Sequence, residues 1–132
     1  MANLDAIGIV VTDLKQSVKF YRLLGVPFAA GADESEHGHA EATLAGGMRL
    51  MMDTEDEMRK FDPSWKRASG SPTAALAFRC SSPDDVDDIF TAALAAGGIA
   101  HKEPWDAFWG QHYAQLRDPD GNGVDLYADQ PK

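Results

Sequence analysis

Cysteine is nearly absent: Cys80 is the single one among 132 residues. It cannot close an internal disulfide or seed a Cys-rich metal site, so a reducing compartment is expected. Basic residues are also scarce. Twelve Lys and Arg against 21 Asp and Glu leave a formal charge of −9, which repels phosphate backbones and anionic bilayers, so neither nucleic acid nor a membrane surface is expected as a partner. No apolar run is long enough to cross a bilayer, and Met1-Ala2-Asn3-Leu4-Asp5 lacks the basic and apolar blocks of a secretory signal. Together these absences predict a cytoplasmic protein. No Ser-His-Asp order, Gly-rich phosphate loop or pair of catalytic carboxylates stands out, and Asp118-Pro119-Asp120-Gly121 lacks the downstream Glu of a calcium loop. A nucleophilic hydrolase is not expected.

What is present fits one globular domain over residues 1–132, with 44% hydrophobic and 25% charged residues. Ala6 to Val11 is a β-branched run and predicts a strand. A helix follows, capped by Asp13 with Gln16 three positions on, carrying Leu14, Val18, Tyr21 and Leu24 on one face and stopped by Gly25. Three further strands are expected at Val26 to Ala30, His39 to Leu44 and Met48 to Met52. The second half repeats the order. Ala74 to Cys80 is a strand, and Ser82 caps a helix with Pro83 in its first turn and Val86, Ile89, Phe90 and Ala93 on one face. Strands then follow at Ile99 to His101, Gln111 to Arg117 and Gly123 to Tyr127, the last two joined by the turn Asp118 to Asn122. The modules are about 1–53 and 73–132. The connection 54–72 is polar apart from Met58, Phe61 and Trp65, with a short helix near Thr54 to Lys60, and is long enough to act as a lid.

Two βαβββ modules, the phrase Val11-Thr12-Asp13-Leu14 running into Ser17-Val18-Lys19-Phe20-Tyr21-Arg22-Leu23-Leu24-Gly25, and Trp109-Gly110-Gln111 ahead of Asp118-Pro119-Asp120-Gly121-Asn122 resemble the glyoxalase, bleomycin-resistance and dioxygenase superfamily. The resemblance covers nearly the whole chain. It implies an α+β fold in which the modules form a curved eight-stranded mixed sheet with a concave cleft. In metal-using members, His or Glu residues on the first and last strands of each module converge on a divalent ion. Aligned on these phrases, Ala6 and Ala75 stand at the first-strand positions and Leu50 and Asp125 at the last-strand positions. One potential donor out of four cannot hold such an ion tightly, so no metal and no other cofactor is expected. His37 and His39 share a face, with His101 and His112 in the other module, but solvated or hydrogen-bonding roles suit them better.

Small residues at Ala6, Gly8, Ala75 and Ala77 leave room for a bulky guest. Strand alternation puts Leu50 with Met52, Ala75 with Ala77 and Arg79, and Asp125 with Tyr127 on the concave side, while Ile7, Ile9, Leu76 and Phe78 face the helices. Trp105, Phe108, Trp109 and Tyr113 crowd nine residues, and such rings can sandwich a planar heteroaromatic ligand. The candidate ligand-binding residues are His39, Met52, Trp65, Arg79, Trp109, Tyr113, Asp125 and Tyr127. Arg79 would repel a cationic ligand unless Asp125 or Glu41 neutralised it. Met48, Met51 and Met52, on one strand, suit core or interface filling, or adaptable contact with a ligand. The resemblance to the bleomycin-resistance branch implies a homodimer that sequesters a small aromatic, cationic, antibiotic-like molecule without acting on it. The alternative is a metal-dependent lyase, isomerase or dioxygenase of the same superfamily.

Overall fold

Local sequence signals become two separately packed units in the computed structural model, which describes residues 1–131. One unit runs to Ser69 and the other starts at Gly70. In the first, β1 (Ala6–Val11) leads into α1 (Leu14–Leu23). Asp13 accepts a hydrogen bond from the Gln16 amide at 3.1 Å, so the expected cap is in place. A stripe wider than expected is buried, since Phe20 joins Leu14, Val18 and Tyr21 and meets Tyr21 edge-on at 5.1 Å. Each large apolar side chain so buried contributes about 1.5–3 kcal/mol. Gly25, at φ 95°, ends the helix in a conformation that other residues resist.

The strand expected at Val26 to Ala30 does not form. Its backbone is already committed: the Val26 amide donates to Tyr21 O at 2.9 Å, and the Arg22 side chain donates to the carbonyls of Phe28 and Ala29. Val26 and Phe28 are buried beneath this wrap. After a short 3-10 turn at Ala32–Glu34 come β2 (His39–Thr43), β3 (Arg49–Thr54) and α2 (Glu55–Phe61), the last capped by Thr54. The sheet order is β1-β3-β2, with β1 parallel and β2 antiparallel to β3.

Register corrects one set of facing assignments. Leu50 and Met52 pair laterally with Ile7 and Ile9 on β1 and with Ala42 and Ala40 on β2. All of them lie on one face, and Leu50, Met52, Ala40 and Ala42 are buried on it. The face shared by Ala6 and Gly8 instead carries Arg49 and Met51, so the last-strand assignment at Leu50 is off by one residue. Met48 precedes the strand.

In the second unit, β4 (Ala75–Arg79), α3 (Pro83–Ala95), β5 (Ile99–Asp106), β6 (Gln111–Arg117) and β7 (Gly123–Asp129) form a sheet of order β4-β7-β6-β5. Ser82 caps α3 by accepting from the Asp85 amide at 3.1 Å. Helix α3 packs on β5, β6 and β7 and buries Val86, Phe90 and Ala93 against the face carrying Ala114, Leu116, Val124, Leu126 and Ala128. Strand β5 is longer than expected and accommodates Pro104 because it is an edge strand with two register shifts. The Asp118 carboxylate is fully buried and accepts from the Asp120 and Asn122 amides, each at 2.9 Å, which makes the Asp118–Asn122 motif a structural turn. The described residues thus hold seven strands in a three-stranded and a four-stranded sheet, in place of a single eight-stranded one. No helix is long and apolar enough to cross a membrane among them.

Candidate functional site

The face of the second sheet away from α3 is ordered by strand register into transverse rows. Arg79, Tyr127, Tyr113 and Trp105 form one row across β4, β7, β6 and β5. Next to it lies Ala77, Asp125, Gln115 and Lys102, and beyond that Ala75, Gly123, Arg117 and Ile99. The expected grouping of Ala75, Ala77, Arg79, Asp125 and Tyr127 on one side is observed, with Leu76 and Phe78 on the other.

The aromatic row is a continuous ring assembly. Tyr113 stacks on Tyr127 at 5.9 Å with an interplanar angle of 18°, and Trp105 meets Tyr113 edge-on at 5.6 Å. Trp109 enters from the β5–β6 turn, 5.4 Å from Tyr113 and 6.0 Å from Trp105. That turn closes through the Gly110 amide on Ala107 O, with Gly110 at φ 94°. Trp109 is 47% exposed and Phe108 97% exposed at its tip. Both ends of the row carry cations: Arg79 lies 5.0 Å from the Tyr127 ring centroid and Lys102 4.1 Å from the Trp105 ring centroid.

Hydrogen bonds hold two of these rings, Tyr113 and Trp109, in place. Tyr113 OH donates to Asp125 Oδ2 at 2.6 Å. Burial pushes the Tyr113 hydroxyl above its ordinary value and the adjacent Asp125 carboxylate pushes it further, so it remains a donor throughout the physiological range. Trp109 Nε1 donates to Gln111 Oε1 at 2.8 Å, and Arg79 donates to Asp129 at 3.1 Å. Asp129, rather than Asp125 or Glu41, is therefore the partner of Arg79, and its hydrogen bond raises the guanidinium pKa. Beside the rings an open groove of about 280 Å³ is lined by Thr73, Ala75, His101, Gln115, Arg117 and Asp125, among others.

Five of the eight residues expected to bind ligand thus converge on one face: Arg79, Trp109, Tyr113, Asp125 and Tyr127. The other three belong to the first unit. His39 is clamped, with Nδ1 2.7 Å from Asp53 and Nε2 3.0 Å from Glu41, and Arg49 continues the chain of charges to Glu41 and Asp5. The Glu41 hydrogen bond, followed by that of Asp53, raises the His39 pKa. Met52 is fully buried on the covered face of its sheet, so it is a core residue. Trp65 lies between the guanidiniums of Arg59 and Arg67, 5.2 and 5.6 Å from its ring centroid. Sequence reasoning missed Lys102, Gln115 and Arg117. The alternation Tyr113, Gln115, Arg117 on β6 was the available signal for two of them; Lys102 follows a register shift and had none.

The donors needed for a divalent ion do not fit. Ala6 shares its face with Arg49, and Ala75 offers no donor beside Gly123. Asp125 already accepts from Tyr113. Among the described residues no group of three or more His, Cys, Asp and Glu is placed to hold a metal.

Comparison with known proteins agrees with this architecture. The profile of the Glyoxalase/Bleomycin resistance protein/Dioxygenase superfamily matches residues 3–126, and the chain belongs to that superfamily. Its fold is similar to that of a family enzyme from Burkholderia phytofirmans PsJN, with a TM-score of 0.80, 19% identity and 97% and 99% of the two chains covered. A glyoxalase-related enzyme from Fulvimarina pelagi gives a TM-score of 0.79 at 18% identity, covering 98% of this chain and 89% of the other. A protein from Agrobacterium tumefaciens solved in solution gives 0.72 at 26% identity, covering 99% and 100%. No curated protein matches.

Proposed function

We propose that this chain is a metal-independent binding protein that holds a small planar aromatic molecule on the ring-bearing face of its second unit, acting as a cytoplasmic homodimer. One observation carries the reading: Trp105, Tyr113 and Tyr127 form an ordered row on a single face, with Trp109 at its border and an open groove beside it. Rings fixed by mutual packing, and at Tyr113 and Trp109 by hydrogen bonds, lose little entropy on binding, and each added stack contributes about 0.5–1.5 kcal/mol beyond area burial. Antibiotic-like heteroaromatics belong to this ligand class. A cationic ligand is disfavoured, because Lys102 and Arg79 already occupy the ring faces where a cation would sit. The exposed Phe108 at the turn supplies apolar surface for a second copy of the chain.

Titration of intrinsic tryptophan fluorescence with a bithiazole or another planar heteroaromatic tests the proposal. Saturable quenching with a micromolar midpoint is expected, weakened about tenfold in Trp109→Ala by loss of one stack and its packing. Unchanged affinity in both Trp109→Ala and Tyr127→Leu overturns it, as does a requirement for one equivalent of Zn, Ni, Mn or Fe per chain, which would establish the metal-dependent alternative. Sedimentation velocity reads the dimer.

A further inference from the structure

We infer that Arg117 makes the groove a subsite for an anionic group, so that the ligand is an aromatic molecule bearing a carboxylate or a similar single anion. The inference rests on the aromatic-binding reading and adds a charge requirement to it. Acidic side chains outnumber basic ones 21 to 12 in this chain, and most of the arginines on its two sheets are consumed by carboxylates. Arg49 is paired with Asp5 and Glu41, and Arg79 with Asp129. Arg117 is different. Among the described residues its side chain has one polar partner, His101 Nδ1 at 3.5 Å, and no carboxylate.

Arg117 lines the groove together with Gln115, Thr73 and Asp125. Its guanidinium presents donors in a planar fork suited to a carboxylate, and such charge-assisted contacts are about twice as strong as neutral ones. Strand geometry then sets the length of the guest. Arg117 and Tyr113 lie four residues apart on one face of β6, which spans about 13 Å between backbones. The Arg117 side chain shortens this gap, so a short linker suffices between anion and ring. Asp125, between the two in the neighbouring strand, opposes a second negative charge on that linker, which selects a monoanion.

Isothermal titration calorimetry with 4-(naphthalen-2-yl)butanoate and its primary amide tests this directly. The carboxylate is expected to bind about tenfold tighter than the amide. Arg117→Gln should erase that preference by weakening the carboxylate more than the amide, with the melting temperature unchanged, and added salt should weaken the carboxylate more than the amide. Equal affinities in the wild type, or a preference that survives Arg117→Gln, overturn the anionic subsite and leave the aromatic reading standing. Binding of neither probe overturns both.

Discussion

Met51 and Met52 are chemically identical neighbours on β3, and truncating each in turn measures which face the strand turns inward. Met52 is fully buried beside Ile9 and Ala40. Removing its thioether arm forfeits the transfer energy and leaves a cavity, a combination that costs about 2–5 kcal/mol for such residues. Taking about 3 kcal/mol, and a melting shift of about 4 °C per kcal/mol for a chain of this size, Met52→Ala should melt about 12 °C lower. Met51 shares the other face with Gly8 and Glu41, and its Cε lies 4.0 Å from where a Cβ on Gly8 would stand. It is partly exposed, so Met51→Ala should cost less than about 1 kcal/mol. Thermal and urea unfolding followed by far-UV circular dichroism reads both, with the urea m-value showing whether the transition itself is preserved. Equal losses, or a larger loss at Met51, would refute the register and return Met52 to the accessible face as a ligand contact.

Two further outcomes follow from contacts elsewhere. His112 lies 2.7 Å from Asp87 and 2.8 Å from Asp106, and these hydrogen bonds, that of Asp87 foremost, raise its pKa, as Glu41 and Asp53 raise that of His39. A histidine whose folded pKa exceeds its unfolded value of about 6.5 stabilises fully below that value and loses the contribution as pH rises through the folded one. The urea midpoint should therefore fall as pH rises above about 6.5, and the double variant His39→Gln/His112→Gln should flatten that slope; an unaltered slope refutes the assignment. At Gly123 an added Cβ would sit 2.8 Å from Ala74 O and 3.0 Å from Ala75 Cβ, so Gly123→Ala should force β4 away and destabilise by about 1–3 kcal/mol, read in the same unfolding assays.

Local chemistry was legible in the residues, and contacts across strands were not. The caps at Asp13 and Ser82, the stop at Gly25, and strand β6 all follow from residues within three or four positions of one another. The Val26 to Ala30 segment has strand-like residues, yet Arg22 takes two of its carbonyls from outside the segment. Such a bond depends on where a helix ends relative to the chain that follows. Asp125 and Tyr127 share a face by simple alternation, whereas the placing of Tyr113 beside Tyr127 is set by the pairing of β6 with β7. Trp65 and His39 do not join them, since each has its own charged partners in the first unit.

By itself the amino-acid sequence determined the order of elements, the family and the supply of aromatic rings, because capping, periodicity and turn chemistry act over a few residues at a time. Tertiary structure alone decided which methionine is buried, which carboxylate neutralises Arg79 and which arginine is left over. Strand pairing has a period of two, so a shift of one position exchanges every inward and outward side chain, and that choice is made by the partner strand.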